Sequence, residues 1–177
     1  MKIQTAILAA ALMMACSSGQ ASVMVAFVDA GTGGPYDLTV NGVLTPGTCI
    51  SPFQSINAGI WAANIVQISD FAYPQSLALE ESAWLTEQFT ISPAESPQIQ
   101  EAIQNFWGAV YTSPEVLAWD VEAQSHASSI NPAEFAVLVP VSANISQNFL
   151  IEVVPEPATM IMIGMGLAAL GWRRRKS

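Results

Sequence analysis

Apolar and polar positions change period twice along this chain. From residue 22, SVMVAFVDAG concentrates β-branched and aromatic residues in a short run that stops at the glycine cluster of GTGGPYD. YDLTVNGVL then alternates, and Asn41-Gly42 in its middle suits the left-handed backbone of a two-residue hairpin turn, so two strands joined by a tight turn are predicted. INAGIWAANIVQIS continues with Ile60, Ala62 and Val66 in one phase and Trp61, Ala63 and Ile65 in the other, which gives one further strand or two.

The middle of the chain has a longer period. From Ser76, LALEESAWLTEQF places Leu77, Trp84, Leu85 and Phe89 on or near one helical face. Ser96-Pro97 opens a second helix, in which Ile99, Ala102, Ile103, Phe106, Trp107, Val110 and Tyr111 recur at three and four. Ser113-Pro114 opens a third, EVLAWDVEAQSHAS. FAVLVPV and NFLIEVV return to strand. The predicted class is α+β: a β-sandwich or barrel-like sheet with two to three inserted helices, flanked by an N-terminal signal peptide and a C-terminal hydrophobic helix.

Both ends read as addresses. Residues 1–21 have a positive start at Lys2, an apolar stretch over 7–15 and small residues over 17–21, the order of a secretory signal peptide cut by signal peptidase between Ala21 and Ser22. Acylation of Cys16, as in a lipoprotein, is the alternative at this end. Residues 160–172 carry no charge, but a helix of that length spans only about 20 Å, short of the ~30 Å hydrocarbon core. Arg173, Arg174, Arg175 and Lys176 follow at once and would stay on the cytoplasmic side. The secreted domain between the two ends is expected over 22–153, long enough for one core.

The charges narrow the function. The full chain has 5 Lys and Arg, 14 Asp and Glu and a formal charge of -9. All five cations lie at Lys2 or beyond Trp172, while every acid lies between them. A nucleic-acid binder needs cations to displace phosphate counterions, so no nucleic-acid partner is expected. The same deficit removes salt bridges between side chains, leaving burial and hydrogen bonds to hold the fold.

Pro155, Glu156 and Pro157, the apolar run after them and the arginine cluster together resemble the PEP-CTERM sorting signal of exosortase-bearing Gram-negative bacteria. The resemblance covers residues 154–177. It implies transient anchoring in the inner membrane, recognition by an exosortase-type membrane protease, removal of the tail near the motif and delivery to the cell surface or extracellular matrix.

Catalytic chemistry is thinly represented in the interior. One cysteine, Cys49, and one histidine, His126, make a nucleophilic pair conceivable but supply no orienting group, and they are too few for a zinc site. Glu80 with Glu81 and Asp120 with Glu122 are expected on solvated helix faces, and Asp29 and Asp37 beside the glycine-rich loop in an ordinary turn rather than a calcium site. No enzyme activity, cofactor or metal is expected. The tryptophans, at helical spacing, are expected in the core rather than on a sugar platform. The expected role is a non-catalytic adhesive or structural one, linked to exopolysaccharide or biofilm.

Cys49 is a single thiol in a domain expected to be secreted, which leaves a buried inert residue, an intermolecular bridge or a less common bond. Strands carrying a Cys, then EESAWL, then a helix holding IQNFW resemble the thioester-domain adhesins of bacterial surfaces. That resemblance implies a bond from Cys49 to a glutamine, leaving an electrophile that captures an amine. Gln104 is the candidate, with Gln100 the second. The motif Gln would fall at Ile103, however, and Gln104 lies about 100° around the helix from that position. The alternative function is therefore a covalent thioester adhesin or a secreted enzyme using Cys49.

Overall fold

The structure is a computed structural model that describes residues 22–29, 33–55, 59–142 and 146–153. Six antiparallel strands close into a barrel: β1 (Ser22–Asp29), β2 (Tyr36–Val40), β3 (Val43–Cys49), β4 (Ile60–Gln67), β5 (Phe135–Pro140) and β6 (Phe149–Glu152). Around the barrel the order is β1-β2-β3-β6-β5-β4, and β4 pairs back onto β1. Closure resolves the sandwich-or-barrel alternative in favour of the barrel. Among the described residues it also leaves no open sheet edge for another chain to extend.

The β2–β3 turn forms at Asn41-Gly42 as predicted, with φ of 51° and 81°. Asn41 also accepts a hydrogen bond at Oδ1 from the Met24 amide at 2.9 Å, which pins the hairpin to β1.

Three helices enter between β4 and β5: α1 (Gln75–Ile91), α2 (Ser96–Phe106) and α3 (Pro114–His126). The Ser113 hydroxyl caps α3 by accepting from the Val116 amide at 3.3 Å, and Pro114 fits the first turn because its missing N–H would have no partner there. The second helix is shorter than its apolar spacing predicts. It ends at Phe106, and the chain passes through Gly108 at φ +93° before Val110 and Tyr111.

Two cores result. Val23, Val25, Leu38, Trp61, Ala63, Leu138, Phe149 and Cys49 fill the barrel. Leu79, Leu85, Phe89, Ile99, Ile103, Val137 and Leu150 pack the helices on its outside. Alternate residues of β5 and β6 serve opposite cores, so both strands are apolar on both faces, and this explains the unbroken run FAVLV. Thr86 of α1 donates to Thr48 of β3 at 3.1 Å, tying the helical layer to the strand that ends in Cys49.

Candidate functional site

Cys49 is the last residue of β3, and its partner across the ladder is Phe149, the first residue of β6. That pairing brings the segment before β6 over the loop after β3. The Ile50 amide donates to the Asn148 carbonyl at 3.1 Å, and the Asn148 amide donates to Ser51 Oγ at 3.2 Å. Held between these bonds, Gln147 meets the thiol, with Cys49 Sγ 2.6 Å from Gln147 Oε1 across 98 residues of sequence.

That distance is short for a thiol donating to a carbonyl, because sulfur is larger than oxygen. Gln147 Nε2 points the other way and donates to the Gln54 carbonyl. Cys49 is 1% exposed and Gln147 9%. Burial pushes the Cys49 thiol up to about 11, although the Ser51 amide pointing at the sulfur favours the thiolate. The thiol is therefore protonated and quiet toward outside reagents. A cavity of about 260 Å³, lined by residues 50–54 and Trp107, opens on the loop that follows Cys49.

The glutamine at the thiol is thus Gln147, which the sequence reasoning did not select. The structure gives Gln104 a different neighbour: its Oε1 accepts from the Tyr111 hydroxyl at 3.1 Å. Gln100 does reach Cys49, but at the backbone, donating from Nε2 to the Cys49 carbonyl at 2.9 Å. Gln147 stands in NISQNF, outside any helix, and no local motif marks it. Only the β3–β6 register reveals it.

His126 lies elsewhere, stacked on Trp84 with centroids 5.0 Å apart and 3.6 Å from Glu122. Asp29 and Asp37 are paired across β1 and β2. The expectation that the paired acids are solvated needs correction at two of them, Glu81 and, in part, Asp120. Glu81 is buried at 7% exposure, and its carboxyl is held above the usual range by burial, then by Asp120 and Glu80. Burial raises Asp120 as well, against a hydrogen bond from Asn105 Nδ2 at 2.9 Å that favours its charge. Glu81 stands on α1 and Asp120 on α3, two helices that share the outer core. Among the described residues no group of three or more His, Cys, Asp and Glu side chains is placed to hold a metal ion. No helix among them is long and apolar enough to cross a membrane.

The barrel ends at the tail. Beyond β6 the Val153 amide donates to the Glu134 carbonyl at 2.7 Å, the last hydrogen bond of the described chain. Residues 153–176 match the PEP-CTERM protein-sorting motif. The PEP-CTERM match marks an exported protein that passes through the membrane with a C-terminal anchor and is processed by an exosortase. Pro155, Glu156, Pro157 and the basic residues 173–176 lie outside the described residues, as do Ala21 and the 1–21 segment.

No curated protein matches the sequence. Among solved structures, the N-terminal thioester domain of a surface protein from Clostridium perfringens is similar at 10% identity, with a TM-score of 0.44, over 74% of this chain and 98% of that one.

Proposed function

We propose that the barrel is a covalent adhesion module, delivered by its PEP-CTERM tail to the cell surface or the surrounding matrix, and that Cys49 and Gln147 form an intramolecular thioester within it. The observation that carries this reading is the 2.6 Å approach of Cys49 Sγ to Gln147 Oε1. Formation joins Sγ to the Gln147 side-chain carbonyl carbon and releases the side-chain nitrogen as ammonia, which takes up the thiol proton. Capture follows when a primary amine attacks that carbon. The carbon–sulfur bond breaks, an amide forms to Gln147, and the proton displaced from the amine returns to Cys49. The bond is used once, so this is capture and not turnover.

Two features support the reading. Proximity fixed by the β3–β6 ladder replaces thiol activation, which burial of Cys49 disfavours. Residues 22–153 also contain no lysine, so no side-chain amine of the domain competes for the electrophile.

The test is intact mass with and without methylamine. The proposal requires a mass lower by one ammonia, restored and increased by methylamine, and neither effect in Cys49→Ala. A native mass with a thiol that alkylates on unfolding would instead support the second reading, favoured by the buried thiol itself: a structural contribution to an exopolysaccharide or biofilm matrix with an inert Cys49.

A further inference from the structure

On the helical side of the molecule, α1, the turn before α2 and α3 enclose an open cleft of about 520 Å³. Its walls are Trp84, Gln88 and Trp119, and Glu95, Glu115 and Glu122 also line it. The two indoles stand 6.1 Å apart at 49°. Each is held in place: Trp84 by the stacked ring of His126, Trp119 by donating Nε1 to Glu95 Oε2 at 3.0 Å.

The polar groups of the cleft define what it takes. Two of its side-chain donors are engaged within the chain: Gln88 Nε2 donates to the Trp84 carbonyl at 3.2 Å and Trp119 Nε1 to Glu95. The cleft presents mainly aromatic surface and carboxylate oxygen to a ligand, both of which attract positive charge. In many proteins an arginine or lysine of the same chain covers such indole faces. Here residues 22–153 hold neither, and the ring of His126 is the chain's own cover on Trp84, so no lysine or arginine of the domain fills the cleft.

We infer that the cleft between Trp84 and Trp119 binds an alkylammonium group. The cation rests against the indole faces with the carboxylates of Glu95, Glu115 and Glu122 around it, Glu122 also standing 3.6 Å from His126. This site is separate from Cys49 and does not depend on the thioester.

The experiment is a fluorescence titration of the full chain in nonionic detergent with choline chloride, against sodium chloride at matched ionic strength. Choline is expected to quench tryptophan emission to saturation. The uncharged isostere 3,3-dimethylbutan-1-ol is expected to bind at least about tenfold more weakly, since it has the shape without the charge. Trp119→Leu should lower choline affinity about tenfold and the exposed, isosteric Glu115→Gln about two- to fivefold, with unchanged circular dichroism. A peptide carrying trimethyl-lysine, run beside free choline, separates a protein-borne ligand from a free amine, and saturation by either supports the site. Equal binding of the neutral isostere, stronger binding of cellobiose than of choline, or no saturation by any ammonium probe would overturn the inference. Glu115→Gln and the isostere decide the matter even if Trp119→Leu fails to fold.

Discussion

Gln100 of α2 donates from Nε2 to the backbone carbonyl of Cys49 at 2.9 Å, so the helical layer is bonded to the residue whose side chain meets Gln147. The amide is 4% exposed, and its own Oε1 is buried without a partner. Gln100→Leu removes both the donor and the orphaned acceptor. The Cys49 carbonyl loses its donor at a cost of about 1–3 kcal/mol, partly offset by deleting the unpaired oxygen, so a net loss of about 1 kcal/mol is expected in urea unfolding. On the proposed reading the fraction of protein lacking one ammonia should fall too, because the β3 end is no longer anchored from the helix side.

Gly33 stands where the β1–β2 loop meets α2. Its φ is +91°, and an added Cβ would lie 2.7–2.9 Å from three atoms of Pro97, two of them backbone. Gly42, at φ +81°, has nothing within 4 Å of the same position. Alanine at Gly42 should therefore cost only the left-handed strain, about 1 kcal/mol, while alanine at Gly33 adds a backbone collision and should cost at least about 2 kcal/mol more. Thermal midpoints of the two variants measure the difference directly.

The strands were legible because a barrel with one core inside and one outside prints itself as alternation and β-branched runs. SVMVAFVD, YDLTV and FAVLVP fall where the pattern puts them. The three helices were legible from Ser-Pro starts and from period. The end of α2 was not: Trp107, Val110 and Tyr111 keep the spacing after the helix has stopped, because Trp107 packs beside the helical core and donates Nε1 to Ser82 Oγ at 3.0 Å from outside the helix. Gln147 was invisible for a different reason. Its meeting with Cys49 depends on pairing two strands separated by the whole helical insertion, and no local period encodes that closure. Burial of Glu81 was likewise set by the packing of α1 against its neighbours and not by its own neighbours in sequence.

Glu81, Asp120 and Glu87 all have carboxyls held above the usual range, each chiefly by burial. Glu152 and then Glu134 add to the effect at Glu87. The folded chain thus binds protons that the unfolded chain has already released. Stability is highest at acid pH, where both states are protonated, and declines as pH rises through the ordinary carboxylate range to the raised folded values, beyond which the penalty is complete. The thermal midpoint should be higher at about pH 5 than at about pH 8, and Glu81→Gln should raise the midpoint at about pH 8 and narrow the gap. A midpoint that climbs with pH would contradict the assignment.

The barrel closes before the sorting signal begins, so address and cargo should be separable. β6 lies between β3 and β5, and the last described hydrogen bond is that of Val153, where the motif match starts. Replacing Pro155, Glu156 and Pro157 by alanine removes the recognition element without touching any described contact of the barrel. In the native host the variant should keep its tail: the recovered mass should still include Trp172 and the basic residues, and the protein should stay in the inner-membrane fraction. The wild type should end near the motif and leave that fraction. Because Cys49, Gln147 and the β3–β6 ladder lie upstream, the variant should unfold at the same temperature as the wild type and, on the proposed reading, lack the same ammonia. A retained tail with a changed midpoint would mean that the signal also supports the barrel; export of the unprocessed variant would mean that residues 155–157 are not what the protease reads.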